Sequence, residues 1–566
     1  MRLKNSIYGL LVASCVGLSA CSDSYLDETI YSSYGNNVVD MNAKILGIHY
    51  LVGEILGYSD NQGYAGIWQD GTDVGAPGDV QGVETPFYKY SQLTSENAGV
   101  SFLWSQLYEI INAANQVIND EENPTEEQIA EARFFRAYAY NQLVTGWGGV
   151  PLVTESATSP TTDYTRNTVA EVDAVIEEDL TYAISNLPDL SGLANESRIC
   201  KDAARQLAGE AYLRMGMRDS SYFSKAETAL TAIISGGNYS LITERYGAFT
   251  SEYGDYYHDM FRYGNQRRSE GNTEGIWTFE MEYDTEVSGG TIGAPQQRRN
   301  WVSAFHKLDG MVNADSIGGR GNGRLRLSNY VKYGIFEDGD IRNSNYNIRR
   351  ILYYNNVDWE GDTYYLDSQG YRVPDDDPTD PDVVTTVTVG VGDRVYCHQA
   401  DTLNVLYPHT TKWGGYDTTD DFGWALVKDF PMMRYAETYL LRAEARFRQG
   451  DTSGAAEDIN VIRDRAFQDY REIAPSAGVV YSSDIDIDFI LDERIRELVG
   501  EENRRFTLMR TNELTNRVNM MVNYWPETDS QKTIEGYDSS IHTLLPIPLT
   551  EIQLNKDADL EQNPGY

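Results

Sequence analysis

Two stretches far apart in the chain repeat one pattern, and it restricts the fold more than any other feature. "ARQLAGEAYLRMGMRDSSYFSKAETALTAIIS" (204–235) and "AETYLLRAEARFRQGDTSGAAEDINVIRDRAF" (436–467) each read as helix, glycine-containing turn, helix. Glu444, Ala445 and Gly450 stand in the second where Glu210, Ala211 and Gly216 stand in the first. Ala436, Tyr439, Leu440, Ala443 and Phe447 make one continuous stripe at helical spacing. Small alanines let two helices cross closely, and the turn glycine is free to take positive φ. Such a pair cannot bury its apolar face alone, so it must stack on others.

A unit of about 34 residues with this layout is tetratricopeptide-like. Further helices precede it. "LWSQLYEIINAANQVIND" is amphipathic, and "EEQIAEARFFRAYAYNQLVTGWGG" sets Ala132, Phe135, Ala139 and Leu143 on one face before Gly146, Gly148, Gly149 and Pro151 end it. "VAEVDAVIEEDLTYAISNLP" is another, with Pro188 as its stop. Between the helical blocks, residues 238–430 are rich in Gly, Asn, Asp and Tyr, with short strand-like runs such as "EGIWTFEMEY" and "VVTTVTVGV". Residues 58–96 share that character. The expected fold is therefore mostly α: a tetratricopeptide-like helical frame with long irregular loops and small β pieces. Loops on a rigid scaffold are where binding residues tend to sit.

The N-terminus reads as an export signal. Arg2 and Lys4 precede a short apolar run, Ile7 to Val16, too short for a retained spanning helix. Leu18, Ser19 and Ala20 then lead into Cys21, which resembles the lipobox of bacterial lipoproteins, where the thiol is acylated. Residues 1–20 are read as the signal and 21–40 as a lipidated N-terminal segment, so the membrane is reached through the lipid alone. Asp23, Asp27 and Glu28 resemble the surface-export signal of some Gram-negative lipoproteins. With 46 basic against 86 acidic residues the net charge is −40. That balance excludes nucleic acid as a partner, since its affinity comes from neutralising phosphates. Cys200 and Cys397 are the remaining cysteines beyond the signal and Cys21, expected as buried free thiols, with a single bridge between them the alternative.

Catalytic motifs are missing: no GxSxG, HExxH or GxxxxGK[ST] occurs. "GGRGNGRL" (318–325) lacks strand–helix context and reads as a loop. "PDDDPTDPD" (374–382) clusters enough oxygens for a structural calcium ion, but its prolines and lack of register mark a solvated acidic loop, and no cofactor is expected. Residues 296–350 carry ten basic residues against five acidic ones. Such a cluster suits either a pocket for acidic sugars or ion pairs with the acidic frame, and the second reading is favoured. The chain also holds 41 tyrosines and nine tryptophans, side chains that stack on the flat apolar faces of sugar rings.

Five ordered segments resemble the SusD/RagB family of outer-membrane nutrient-uptake lipoproteins. They are "CSDSYLD", "AEARFFRAYAYNQLVTGWGGVPLV", "PMMRYAETYLLRAEARFRQG" with "DINVIRDRA", the glutamate–arginine helix "ILDERIRELVGEENRRFTLMRTNEL", and the C-terminal "LLPIPLTEIQLNKDADLEQNPGY". The resemblance implies an N-terminal helical region at 41–237 with a ligand loop at 58–96, a loop-rich insert at 238–430 and a C-terminal helical region at 431–566. It implies no catalysis. A surface-exposed lipoprotein of the outer membrane would capture an oligo- or polysaccharide and deliver it to a SusC-like TonB-dependent barrel. The same scaffold capturing peptides is the alternative, and a surface-anchored glycoside-degrading enzyme a more distant one. Carried over by region, the expected glycan contacts are Trp68, Asp70, Asp73, Tyr88, Trp301, Tyr330 and Trp359, the tryptophans Trp68, Trp301 and Trp359 as stacking platforms and Asp70 and Asp73 accepting hydroxyl hydrogen bonds.

Overall fold

The computed structural model describes residues 40–57, 63–79, 82–121, 123–156, 159, 161–193, 195–281, 297–314, 317–403, 405–415, 426, 428–527 and 533–566. The expected signal, Cys21 and the segment after it lie outside these residues. Met1–Lys44 and Ile45–Tyr566 are separate units, and of the first only residues 40–44 are described. The whole span from Ile45, which includes the predicted helical regions and the insert, is one compact unit.

The longer helices are α1 (Met41–Gly57), α2 (Gly63–Gln69), α3 (Ala98–Ile118), α4 (Glu126–Trp147), α5 (Val169–Asn186), α6 (Lys201–Gly216) and α7 (Ser221–Gly236). After the insert come α8 (Tyr435–Arg448), α9 (Thr452–Phe467), α10 (Ile487–Leu498), α11 (Arg504–Arg510) and α12 (Leu514–Tyr524). Consecutive helices pack side by side from α3 to α7, and α8 packs on both α9 and α7. Among the described residues no helix is long and apolar enough to cross a membrane.

Local signals set these boundaries. Thr125 with Gln128 and Thr168 with Glu171 form capping boxes that start α4 and α5. Gly148, at φ +75°, ends α4. From Ala130 to Trp147, α4 is buried on nearly every side, so the single apolar face expected there is one part of a central helix. The two turn glycines act differently. Gly450 has φ +87° with open space around it, whereas at Gly216, the last residue of α6, a Cβ would lie 2.3 Å from the Phe223 ring.

The insert carries small strands: β1 (Gly75–Pro77, from the earlier loop region), β2 (Gly275–Phe279), β3 (Leu325–Leu327), β4 (Ile348–Arg349), β5 (Asp362–Leu366), β6 (Thr385–Val389), β7 (His409–Thr410) and β8 (Phe430–Arg434). They pair antiparallel as β1–β3, β2–β8, β4–β7 and β5–β6. The insert has its own core, with Val302, Phe305, Tyr354, Tyr364 and Leu366 buried together. Cys200 and Cys397 are both free and buried.

The expected glutamate–arginine helix is two. Gly500, at φ +86°, separates α10 from α11, and the break turns Glu501 and Glu502 inward. Glu501 meets Lys412 and Arg434, and Glu502 meets Arg494 at 2.6 Å. On α10, one turn apart, Glu493 and Glu497 are fully buried. Glu497 receives Arg465 at 2.6 Å, Arg434 at 3.1 Å and Arg342 at 3.2 Å; Glu493 receives Arg342, Arg463 and Arg496, each at 2.8 Å. Burial alone would raise both carboxyls, but the surrounding guanidiniums outweigh it and hold them well below the usual carboxylate range.

Removing one partner of a buried, multiply paired charge costs about 3–5 kcal/mol. Glu497→Gln should lose that much in denaturant titration, while Glu178→Gln, at the exposed partner of Arg133, should change stability by under about 1 kcal/mol. Because the folded values are depressed, these carboxylates stabilise the protein above their ordinary value of 4.5, and that contribution is lost as pH falls through the folded values. Wild type should therefore lose stability progressively below about pH 4.5, and Glu497→Gln should show a shallower fall. Gly216→Ala should cost about 1–3 kcal/mol by overpacking, with Phe223→Leu restoring part of the loss. Gly450→Ala should cost about 1 kcal/mol through its φ, with no such rescue.

Candidate functional site

The expected ligand loop at 58–96 is drawn into the body of the protein. Arg505 on α11 donates to the carbonyls of Ile67 and Asp70, to Phe87 O at 3.1 Å and to the Tyr90 hydroxyl at 2.7 Å. Asp73 is buried, and Arg504 grips both of its carboxylate oxygens, at 2.8 and 2.7 Å, so it has no free face for a sugar hydroxyl. Asp70 is also buried; desolvation, then the charge of Glu84, pushes its carboxyl well above the usual range. Tyr88 is buried, its carbonyl taken by the Glu535 N–H at 2.9 Å. These three residues are walls of the core, which corrects their reading as ligand contacts.

Trp68 and Trp301 line one cavity, but inside the protein. Trp301, 2 % exposed, ends the short buried helix Gln297–Trp301, and with half-buried Trp68 it lines an interior cavity of about 140 Å³ shared with Gln206, Glu437 and Arg494. A polar space of that size suits a few waters. Trp301 is therefore not a surface platform. Trp359 is half-buried, its ring 4.5 Å from Tyr354, in the space left by the missing Cβ of Gly310. Tyr330 is half-buried too: its hydroxyl donates to Asp492 at 2.6 Å and its ring leans on Trp525 at 5.4 Å.

The open clefts lie elsewhere, either side of one extended segment. Residues 349–355 continue β4, tied by Tyr354 N to Asp393 O (2.9 Å) and Val395 N to Leu352 O (3.0 Å). Successive side chains of an extended strand face opposite ways. Arg349 and Tyr353 to Asn355 line one cleft, of about 980 Å³, and Arg350 lines another, of about 900 Å³, with Ile351 and Leu352 bordering both.

Tyrosine dominates the first cleft. Tyr253 is 91 % exposed and Tyr353 53 %, with Tyr263 and Tyr346 also reaching the surface. Arg262 closes one side, paired with Glu252 at 2.5 Å and lying 3.7 Å over the Phe249 ring. Asn345 and Asn355 hold the wall: Asn345 Oδ1 accepts from the Arg350 and Ile351 N–H groups, and Asn355 exchanges two bonds with the Val312 backbone. His258 and His409 sit in the floor. Burial, followed by the charge of Arg349, lowers each imidazole to about 3, so both histidines are neutral at neutral pH. The result is an open platform of aromatic faces and phenol hydroxyls with little net charge. Its signal in the sequence is the tyrosine–asparagine density of "SEYGDYYHDMFRYGN" and "NSNYNIRRILYYNN", which an emphasis on tryptophan passes over.

The basic cluster at 296–350 divides between the frame and a cleft lining. Arg342 is sunk in the frame network, and Arg326 and Lys332 share Glu527 at 3.4 and 3.9 Å. Lys332 and Arg350 nonetheless line the second cleft. The acidic stretch 374–382 closes on itself, with Asp377 accepting from Thr379 and Asp376 pairing with Arg372. Among the described residues no group of three His, Cys, Asp or Glu side chains is placed to hold a metal ion.

Comparison with known proteins bears on this arrangement. The SusD family profile matches residues 251–566, and a second profile, described as "Starch-binding associating with outer membrane", matches residues 24–213. A SusD-like protein of Formosa agariphila is 24 % identical over the full length of both chains. The crystal structure of a SusD homolog from Bacteroides thetaiotaomicron superposes with a TM-score of 0.67 at 20 % identity, covering 93 % of this chain and 96 % of that one. Surface glycan-binding protein A of the same organism, solved in complex with laminarihexaose, gives 0.63 at 19 % identity, covering 92 % and 98 %. With a family profile spanning more than half of its length and the same fold around it, this chain belongs to the SusD family.

Proposed function

We propose that the protein is a surface-exposed lipoprotein of the outer membrane, acylated at Cys21, that captures neutral polysaccharide in the tyrosine cleft. It passes the chain to a SusC-like TonB-dependent barrel, and its role is capture without turnover. The observation that carries this reading is the cleft itself: exposed tyrosine faces over neutral histidines, on a wall held by Asn345 and Asn355. A pyranose ring offers a C–H face to each aromatic and hydroxyls to each phenol. An open platform releases its ligand readily, which delivery to a transporter requires. Family support points the same way, since one matching profile is described by starch binding and one structural neighbour holds laminarihexaose. Trp359 keeps a supporting part, holding Tyr354 behind the cleft wall.

Two experiments test this. Calorimetric titration of the full-length protein with laminarihexaose and maltohexaose should show saturable binding to at least one. Tyr253→Ala and Tyr353→Ala should each weaken it about five- to tenfold, corresponding to roughly 1–1.4 kcal/mol per ring. Unchanged affinity in both variants would remove the cleft from the account. Separately, Cys21→Ala should release the protein from the membrane fraction under an alkaline wash that leaves wild type bound. Equal retention would contradict the lipid anchor.

A further inference from the structure

The second cleft has a chemistry opposite to that of the first. Its charged lining consists of Arg326, Lys332, Arg350 and Arg394, with no aspartate or glutamate among the described lining residues, in a chain where acids outnumber bases 86 to 46. Glu527 behind the wall is the carboxylate that Arg326 and Lys332 share, at 3.4 and 3.9 Å, both too long for a close pair. Arg350 donates to the Asn343 amide oxygen at 2.6 Å, which fixes its guanidinium without neutralising it. Arg394 is exposed, and among the described residues neither it nor Arg350 has an ion-pair partner. The wall therefore presents about three uncompensated positive charges to the cleft, a field that the acidic remainder of the surface does not supply.

Around those cations stand aromatic and amide groups. Tyr333 and Tyr524 are 69 % and 76 % exposed, Trp525 is half-buried beside them, and Gln369 and Gln399 line the same space. Burial, opposed by Glu527 and reinforced by Arg326 and Arg350, lowers the Lys332 ammonium to about 8, mainly because its charge is held out of water. A planar guanidinium matches a carboxylate or sulfate with two parallel hydrogen bonds, and aromatic faces take the ring that carries it.

We propose that this cleft is a second ligand site, selective for an anionic saccharide chain, one bearing ring carboxylates or sulfate esters. It shares only the Ile351–Leu352 wall with the tyrosine cleft and stands on its own residues. The shared chemistry is an anion on a pyranose, against which a long nucleic acid is opposed by the net charge of −40.

The test titrates the full-length protein with polygalacturonate, dextran sulfate, unsubstituted dextran and single-stranded DNA at low salt. Polygalacturonate or dextran sulfate should bind saturably, the one that binds naming carboxylate or sulfate, and dextran and DNA should not match it. Raising salt from 50 mM to 500 mM should weaken that binding about tenfold or more as charge interactions are screened. Arg394→Gln, at an exposed position, should weaken it about tenfold, and Arg350→Gln with Arg394→Gln further, with melting temperature unchanged for the single variant. Tyr253→Ala should leave it intact while weakening neutral hexasaccharide, so loss of one site is read apart from loss of the other. Absence of saturable binding to both polyanions, DNA binding as tightly, or full affinity in Arg394→Gln would overturn the proposal.

Discussion

The structure depends on a set of buried charges centred on Glu493 and Glu497. Taking an ion out of water costs several kcal/mol even after relaxation, so a buried charge persists only when its partners arrive with it. Here they come from everywhere: Arg342 from the insert, Arg434 from β8, Arg463 and Arg465 from α9. Glu274, just before β2, joins Arg434 and Arg465 from the far side. No single helix pair completes this network: α9 and α10 alone join Arg463 to Glu493 and Arg465 to Glu497, but Arg342, Arg434 and Glu274 come from elsewhere in the chain. The frame and the insert are thereby made into one folding unit, with polar specificity added to the nonspecific drive of apolar burial.

That network also places the candidate site. Arg342 is gripped by Asp340 and by both glutamates, which fixes the turn leading into the tyrosine- and asparagine-rich segment 345–355. On the other flank, Lys412 donates to the Glu497 carbonyl at 2.7 Å and Lys428 to the Lys412 and Gly414 carbonyls, holding the strand that pairs with β4. Tyr257 reaches the same Glu497 carbonyl at 2.7 Å from beneath the cleft. A ligand platform on loops is thus as stiff as the frame under it, which limits the ordering cost of binding. The extended segment between the clefts separates them, with Arg349 and Tyr353 lining the tyrosine cleft and Arg350 the basic one.

Much of the frame was legible in the sequence because helices announce themselves locally. The apolar spacing of 436–447, the capping residues Thr125 and Thr168, and the stops at Gly148 and Pro188 all act within a few residues. The site was less legible, since exposure is decided by partners far along the chain. Asp73 is occupied by Arg504, 431 residues later, and no local pattern marks that pairing. Tryptophan was a misleading guide for a physical reason: its large apolar ring gains most from burial, and the fold uses Trp301 and Trp277 as core. Tyrosine carries a hydroxyl that keeps it stable at the surface, and Tyr253, Tyr333, Tyr353 and Tyr524 are among the exposed aromatics. The break at Gly500 was visible as a glycine, but its purpose, aiming Glu501 and Glu502 inward, exists only in three dimensions.

The most direct measurement is a crystal structure of the protein soaked with a neutral hexasaccharide that it binds in solution. The account predicts a sugar chain lying across Tyr253 and Tyr353, with the Glu493 and Glu497 ion pairs unmoved beneath it. Density confined to another surface, or a ligand reached only by opening the Trp68–Trp301 cavity, would contradict it.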